Sequence, residues 1–497
     1  MKLTLRKTLC CLLAAATVFP LAACSNNEQK ESESSKETIS SSSESGITES
    51  ETAEEKVDLY ADLGEADYND YTFRILTTEE YTPYIFAQDQ TGETVNDAVY
   101  DANRKVEDLA HIKFATVLVD DPNPYFTQSV TSNGNDFDIA MDHDNHTASR
   151  QLAGNYMLNL REFPHINWEG KWWPEFTVDA LTFRDQMYFY SNYSTYLGNW
   201  MTRVMMCNYG ELKSRNLEDP YQLVYENKWT LDKLIEMTSD VYDDRNGDTK
   251  KDVEDFYGFA FTGTFYCWLE AWNYEVFQKN DEGGIDINVE DEKLVTTLEK
   301  MYNWLHDSQG IYLSQKDSGN FERDNYLGIF ANDSSLFAYG LIGRLLKACV
   351  ETDVEYAILP MPMMDESVGK YYSGTTDRPI SVPVTAQDYD MLGYVIEAMA
   401  IAGYEKILPA YCDSALKGRY SIDKDSSAMI DIIFENRILG FSYMYVNAAT
   451  SNGYPLLVNQ LMYENSFNYS STIKKGQKLN EKGVENIIAA YERNSAE

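Results

Sequence analysis

The sequence predicts an α/β protein built around a mostly parallel sheet, and three segments carry that expectation. Tyr71-Thr72-Phe73-Arg74-Ile75-Leu76 alternates as a strand does. After Gly92, residues Val95, Val99, Ala102, Val106 and Leu109 recur at spacings of four and three, the stripe of an amphipathic helix. Ile112, Phe114, Thr116 and Leu118 alternate again, and a further strand candidate follows at Phe137-Asp138-Ile139-Ala140-Met141. Strand, helix, strand, helix, strand is the order of βαβ units. In such a sheet ligands sit beyond the carboxyl ends of the strands, so the segments after Leu76 and Met141 are the first places to look.

The amino-terminal residues read as an export signal. Lys2, Arg6 and Lys7 precede the apolar run Leu9 to Leu21, which is too short to span a bilayer. The run ends in Leu21-Ala22-Ala23-Cys24, which resembles the bacterial lipobox. Residues 1–23 are therefore expected to be a lipoprotein signal peptide, and Cys24 the acylated first residue of the mature chain. An ordinary secretory peptide is the alternative. From Ser25 to Glu55 the chain is almost wholly Ser, Glu, Thr, Asn and Lys, with Ile39 and Ile47 its large apolar residues. Such a stretch buries too little surface to fold, so 24–56 is read as a tether.

The remainder, from residue 57, is long for one core and suggests two domains. With a formal charge of −39, which loss of the basic leader makes more negative still, the surface repels phosphate backbones and nucleic acid is excluded as a partner. Beyond the leader and Cys24 stand Cys207, Cys267, Cys349 and Cys412, widely spaced and without a CxxC pair. That spacing argues against zinc; buried thiols are favoured over disulfides.

From Asn199 the composition turns helical. Thr230 is placed to cap a helix on which Leu231, Leu234, Ile235, Thr238 and Val241 share a face.

Several segments, taken in order, resemble the extracellular solute-binding proteins of bacterial ABC importers, in the carbohydrate branch. They are the lipobox and tether, Phe137-Asp138-Ile139-Ala140, Met187-Tyr188-Phe189-Tyr190, Met205-Met206-Cys207-Asn208-Tyr209 and Trp229-Thr230-Leu231-Asp232. Later come Phe337-Ala338-Tyr339-Gly340, Ile358-Leu359-Pro360-Met361-Pro362, Tyr371-Tyr372-Ser373-Gly374-Thr375, Asp377-Arg378-Pro379, and Pro409-Ala410-Tyr411 through Ile432-Phe434. Cys207 stands where that family usually has Tyr.

The resemblance implies a two-lobed periplasmic-binding-protein-like fold with a hinge and an interlobe cleft. Lobe 1 is expected over 57–195 and 320–385, and lobe 2 over 196–319 and 386–497. It also implies a monomer, anchored by lipid to the extracellular face of the cell membrane, that closes on a sugar or oligosaccharide and delivers it to the permease subunits of an ABC importer. No chemistry on the solute and no catalytic cofactor are required.

Sugars present C–H faces and hydroxyls, so aromatic platforms, carboxylates, amides and Arg are the candidates. Tyr81, Tyr193, Trp268 and Trp272 are the aromatic ones, the two tryptophans sharing a helix face either as platforms or as core. Asp142 and His143 follow the third strand directly. Gly340, Ser373, Gly374, Asp377 and Arg378 lie in segments that the resemblance brings back to the cleft, Gly permitting close backbone approach and Arg378 a bidentate contact.

The segment from Asp244 to Asp255 has calcium-loop spacing. Asp244, Asn246, Asp248, the Lys250 carbonyl, Asp252 and Asp255 occupy positions one, three, five, seven, nine and twelve. Thr249 replaces the usual Gly at position six, and a structural calcium is expected, with an unmetallated acidic turn as the alternative. GxSxG, HExxH and GxxxxGK[ST] patterns are all missing. The rival functions are a secreted glycoside-active enzyme, which would use a pair of the many acids, and a subunit that presents solute to a sensor.

Overall fold

A computed structural model describes residues 58–261, 266–314, 326–349, 352–420, 424–450 and 453–494. The expected signal peptide, Cys24 and the tether lie outside the described residues.

Two sheets organise the chain. The first has the order Ile112–Leu118, Tyr71–Thr77, Ile139–Met141, Ile380–Ser381, Phe189–Tyr190. Its first three strands are parallel, Tyr71 opposite Ile112 and Ile75 opposite Ile139. The Thr94–Ala110 helix makes the crossover and buries Val95, Val99, Ala102 and Val106, as the sequence stripe predicts. Asp138 ties two of these strands together. It accepts from Arg74 N at 2.6 Å and Tyr71 OH at 2.8 Å, and pairs with the Arg74 guanidinium at 2.9 Å.

The second sheet has the order Ile311–Leu313, Phe256–Phe261, Ser335–Leu341, Arg203–Asn208, Tyr356–Leu359. It is buried on both faces. Val204, Met206, Ala338 and Ile358 join one apolar cluster, while Met205, Cys207, Phe337 and Leu359 join the other. Two-sided burial of this kind reads in sequence as a continuous apolar run rather than an alternation. Cys207, Cys267 and Cys349 are buried, as expected of thiols that pack as small apolar groups. Thr230 Oγ1 caps the Leu231–Thr238 helix by accepting from Lys233 N at 3.3 Å. Leu231, Leu234 and Thr238 are buried, but the helix ends before Val241.

Three connections join the sheets among the described residues. The chain leaves the first sheet after Tyr190 and enters the second at Arg203; it returns between Leu359 and Ile380. The third connection is helical. Tyr389–Ala402 packs on Thr94–Ala110, runs through wide π-helical turns at Gly403–Ile407 and Ala410–Tyr420, and leads to Lys424–Glu435, which packs on the Tyr356–Leu359 strand. Such turns are uncommon and interrupt the regular helical ladder where a helix changes surroundings.

These pairings correct the expected boundaries. Ser335–Leu341 and Tyr356–Leu359 are hydrogen-bonded to Arg203–Asn208, so the return to the first lobe falls after Leu359 and not at 320. The Tyr389–Ala402 helix, expected in lobe 2, covers the first lobe's helix. Pairing with a strand far upstream decides the first assignment, and packing on a helix far upstream decides the second.

Candidate functional site

The loops after Thr77 and Met141 leave the carboxyl edge of the first sheet, and a cavity of about 730 Å³ opens there. Glu79, Glu80, Tyr81, Asp120, Asp121, Asp142, His143 and His146 line it. The sequence therefore places Tyr81, Asp142 and His143 on one concavity, but the structure gives Asp142 and His143 structural tasks. Asp142 is 2% exposed and pairs with the equally buried Arg150 at 2.5 Å. It also accepts from His143 N at 2.6 Å and lies 3.4 Å from His146 Nδ1. Burial opposes ionisation, yet His146 and Arg150 hold the Asp142 carboxyl below the usual range. His143 caps the Asp144–Ala153 helix.

Asp144, one residue further, points instead toward the connections between the sheets. Its Oδ1 lies 2.5 Å from His143 Nδ1 and accepts from Asn145 N at 2.7 Å, while Oδ2 has no hydrogen-bond partner. Although burial works the other way, His143 and the Arg378 charge keep this carboxyl ionised. Arg378 arrives on the returning segment beside the same edge, where Pro379 O accepts from Asp142 N at 3.4 Å. Its guanidinium lies 5.0 Å from the Tyr81 ring centre, and its Nε is unpartnered. Asp377, its neighbour, accepts from Ser191 Oγ and from Arg378 N at 2.7 Å. Burial pushes Asp377 up to about 6.

Glu270, on the Tyr266–Ala271 helix, faces this group from the second sheet's side. It pairs with Arg203 through Oε2, and Oε1 has no hydrogen-bond partner. Arg203 in turn lies 5.3 Å from the Tyr443 ring centre. Burial pushes Glu270 up to about 7 against the Arg203 charge. Gly374 is required here, because a Cβ would meet Glu270 Cβ at 2.8 Å. The close approach expected of that glycine is thus made by a side chain. Ser373 Oγ is buried and unpartnered on the returning connection, while Ser381 Oγ and Tyr190 OH, also unpartnered, lie within the first sheet on opposite faces.

The remaining candidates fall elsewhere. Trp268 is fully buried between Tyr339 and Trp272, with ring centres at 5.5 and 6.1 Å, and Trp272 is 4% exposed. Both are core, because the helix turns their shared stripe onto the second sheet. Gly340 lies opposite Val204 in the sheet's ladder, near its end. Tyr193 accepts from Arg437 Nη2 at 3.1 Å and packs on Tyr404 at 5.9 Å, so it braces the helical connection. Sequence reasoning missed Asp144, Glu270, Arg203, Ser191 and Tyr443.

The Asp244–Asp255 segment is an ordered acidic turn. Asp244 Oδ1 and Oδ2 accept from Gly247 N at 2.7 Å and Thr249 N at 2.9 Å. Asn246, Asp248 and Asp252 accept from the backbone two residues on. Asp255 is drawn inward to Tyr242 OH at 2.9 Å. Among the described residues no three His, Cys, Asp or Glu side chains are placed to hold a metal ion. The carboxylates make turn hydrogen bonds with the backbone, and Thr249 adopts the left-handed φ of 65° that Gly takes at position six of such a loop.

No protein-family profile matches the chain, and no curated protein does. Solved structures are similar across most of its length. An ABC substrate-binding protein from Listeria monocytogenes in complex with cycloalternan has a TM-score of 0.54 at 11% identity, covering 84% of this chain and 99% of that one. The apo-form of RafE from Streptococcus pneumoniae has 0.52 at 12%, covering 85% and 98%. The MalE maltose/maltodextrin-binding domain from Bdellovibrio bacteriovorus, bound to maltotriose, has 0.50 at 13%, covering 83% and 100%. The chain has their two-lobed α/β fold.

Proposed function

We propose that this protein captures a sugar or oligosaccharide between two lobes and passes it, chemically unchanged, to an ABC importer, held at the extracellular face of the membrane as a monomer by lipid on Cys24. The observation that carries the reading is the collection of buried, unpartnered polar atoms where the two sheets are connected: Asp144 Oδ2, Glu270 Oε1, Arg378 Nε and Ser373 Oγ. Each such group costs about 1–3 kcal/mol when left unpaired. A polyol entering this region supplies both donors and acceptors. Because the groups come from both sheets, that gain is complete only when the lobes meet around the solute, so binding favours closure.

The likeness to proteins solved with cycloalternan and maltotriose supports the same class of solute, and those proteins are substrate-binding components and not enzymes. The lipobox and tether support the anchor. Differential scanning against mono- and oligosaccharides, amino acids and peptides tests the reading: a saccharide at a hundredfold excess over Kd stabilises the native state by about 2.7 kcal/mol. Stabilisation by amino acids or peptides alone refutes sugar capture, and release of new reducing ends from a glycan refutes binding without turnover.

A further inference from the structure

One buried side chain sits where the three connections between the sheets meet. Arg437, 7% exposed, stands in the short strand Arg437–Ile438, which pairs with Ser373–Gly374 of the returning segment. Its Nη1 donates to Asn199 Oδ1 and its Nη2 to Tyr193 OH at 3.1 Å, both on the segment that leads from Tyr190 to Arg203. Its Nε donates to Phe434 O at 3.2 Å, at the end of the helical connection. The rings against the guanidinium come from both lobes. Phe176, with its centre at 5.2 Å, lies on the Glu175–Leu181 helix beside the Phe189–Tyr190 strand. Phe434, at 5.0 Å, lies on the helix that packs on Tyr356–Leu359. The acceptors are an amide, a phenol and a peptide carbonyl, and the remaining contacts are ring faces. Hydrogen bonds to neutral acceptors are about half as strong as those to a carboxylate, so the fork can exchange them as the segments turn. Lobe closure is absorbed by torsions in the connecting segments, and those segments are the ones Arg437 holds.

We infer that Arg437 is the pivot on which the lobes close, a positioning residue whose contacts set the ratio of open to closed form before solute arrives. This rests on the reading of capture by closure and names the side chain that governs it. Because solute favours the closed form, apparent affinity scales with the closed fraction, so a change at Arg437 alters Kd.

Electron–electron distance measurement on the intact, free protein tests the inference, with nitroxide labels on non-canonical residues at the exposed positions Leu118 and Lys250, so that the cysteines stay in place. Leu118 ends a strand of the first sheet, and Lys250 lies in the turn before the Phe256–Phe261 strand of the second. Arg437→Met should change the ratio of the two separations at least about fivefold, which is about 1 kcal/mol at 25 °C. Arg437→Lys keeps the charge and loses the fork, and should change the ratio in the same direction by a smaller factor. Tyr193→Phe, which removes one acceptor and keeps the ring, should do likewise. Asp138→Ala is the structural control: it breaks the network with Arg74 and Tyr71 inside the first sheet, so it should lower Tm and leave the ratio unchanged. Arg437 variants that lower Tm but keep the wild-type ratio of two separations overturn the inference and leave closure standing. A single separation shared by wild type and every variant overturns both.

Discussion

Arg150 gives the sharpest test of how the edge of the first sheet is built. Its guanidinium and the Asp142 carboxylate are 2% exposed each and 2.5 Å apart, and Arg150 also lies 4.4 Å from the Phe126 ring centre. Arg150→Met keeps most of that packing but leaves Asp142 ionised and buried. Breaking a buried pair from one side costs about 3–5 kcal/mol. Asp142 keeps the His143 N–H at 2.6 Å and His146 at 3.4 Å, which places the expected loss near the lower figure, about 3 kcal/mol. Asp142→Asn strands the guanidinium and should cost about the same. The double variant removes both charges and should cost no more than either single one, so equilibrium denaturation yields a coupling energy of about 3 kcal/mol. The pH dependence follows from the same geometry. The folded-state pKa of Asp142 lies below its unfolded value, so its stabilisation is present above the ordinary carboxylate range and lost as pH falls through the folded value. Wild type should lose this increment on acidification and Asp142→Asn should not. Losses that simply add in the double variant would refute the pairing argument.

Four further outcomes follow from other contacts. Glu397 accepts from Trp172 Nε1 at 2.6 Å and Trp173 Nε1 at 2.7 Å; Glu397→Leu strands both indoles and should cost about 3 kcal/mol, with a changed tryptophan emission in the native state. The Glu270 and Asp377 pKa values are raised to about 7 and about 6, so the folded state holds more protons than the unfolded one across that range and stability falls as pH rises through it; Glu270→Gln should flatten the decline in Tm between about pH 5 and 7. A Cβ on Gly403 would strike the Tyr193 carbonyl, so Gly403→Ala should destabilise by about 1–3 kcal/mol, whereas Gly418→Ala, whose Cβ meets only Asp413 O at 3.4 Å, should be neutral or stabilising. Millimolar calcium should leave Tm unchanged, and a saturable rise would show that the Asp244–Asp255 turn rearranges to bind it.

How much of this was legible depends on how far apart the deciding residues lie. The Tyr71–Thr77 strand, the Thr94–Ala110 helix and the Thr230 cap are written in spacings of two to four residues, and all three form as read. The edge after Met141 was legible by the same logic, because a parallel sheet puts its concavity there. Which acid in Asp142-His143-Asp144 keeps one oxygen without a partner was not legible, since the choice is made by Arg150, eight residues beyond Asp142, and by Arg378 on the returning segment. The lobe boundary failed for a related reason: the antiparallel pairing of Phe337 with Cys207 is a long-range fact that no local period encodes.

Glu270 is the instructive miss. The run Tyr266-Cys267-Trp268-Leu269-Glu270-Ala271-Trp272 drew attention to its tryptophans, which pack a core as large apolar residues most often do. The anomaly in that run was the lone carboxylate among apolar neighbours. An ionisable side chain set in an otherwise apolar helix must find a partner, shift its pKa or await a ligand. Glu270 does the first through Arg203, does the second in rising to about 7, and with Oε1 unpartnered is left in need of the third. In a chain this rich in aromatics the out-of-place acid locates a polar site better than any ring does, because burial of the ring is favourable by itself and burial of the acid is not.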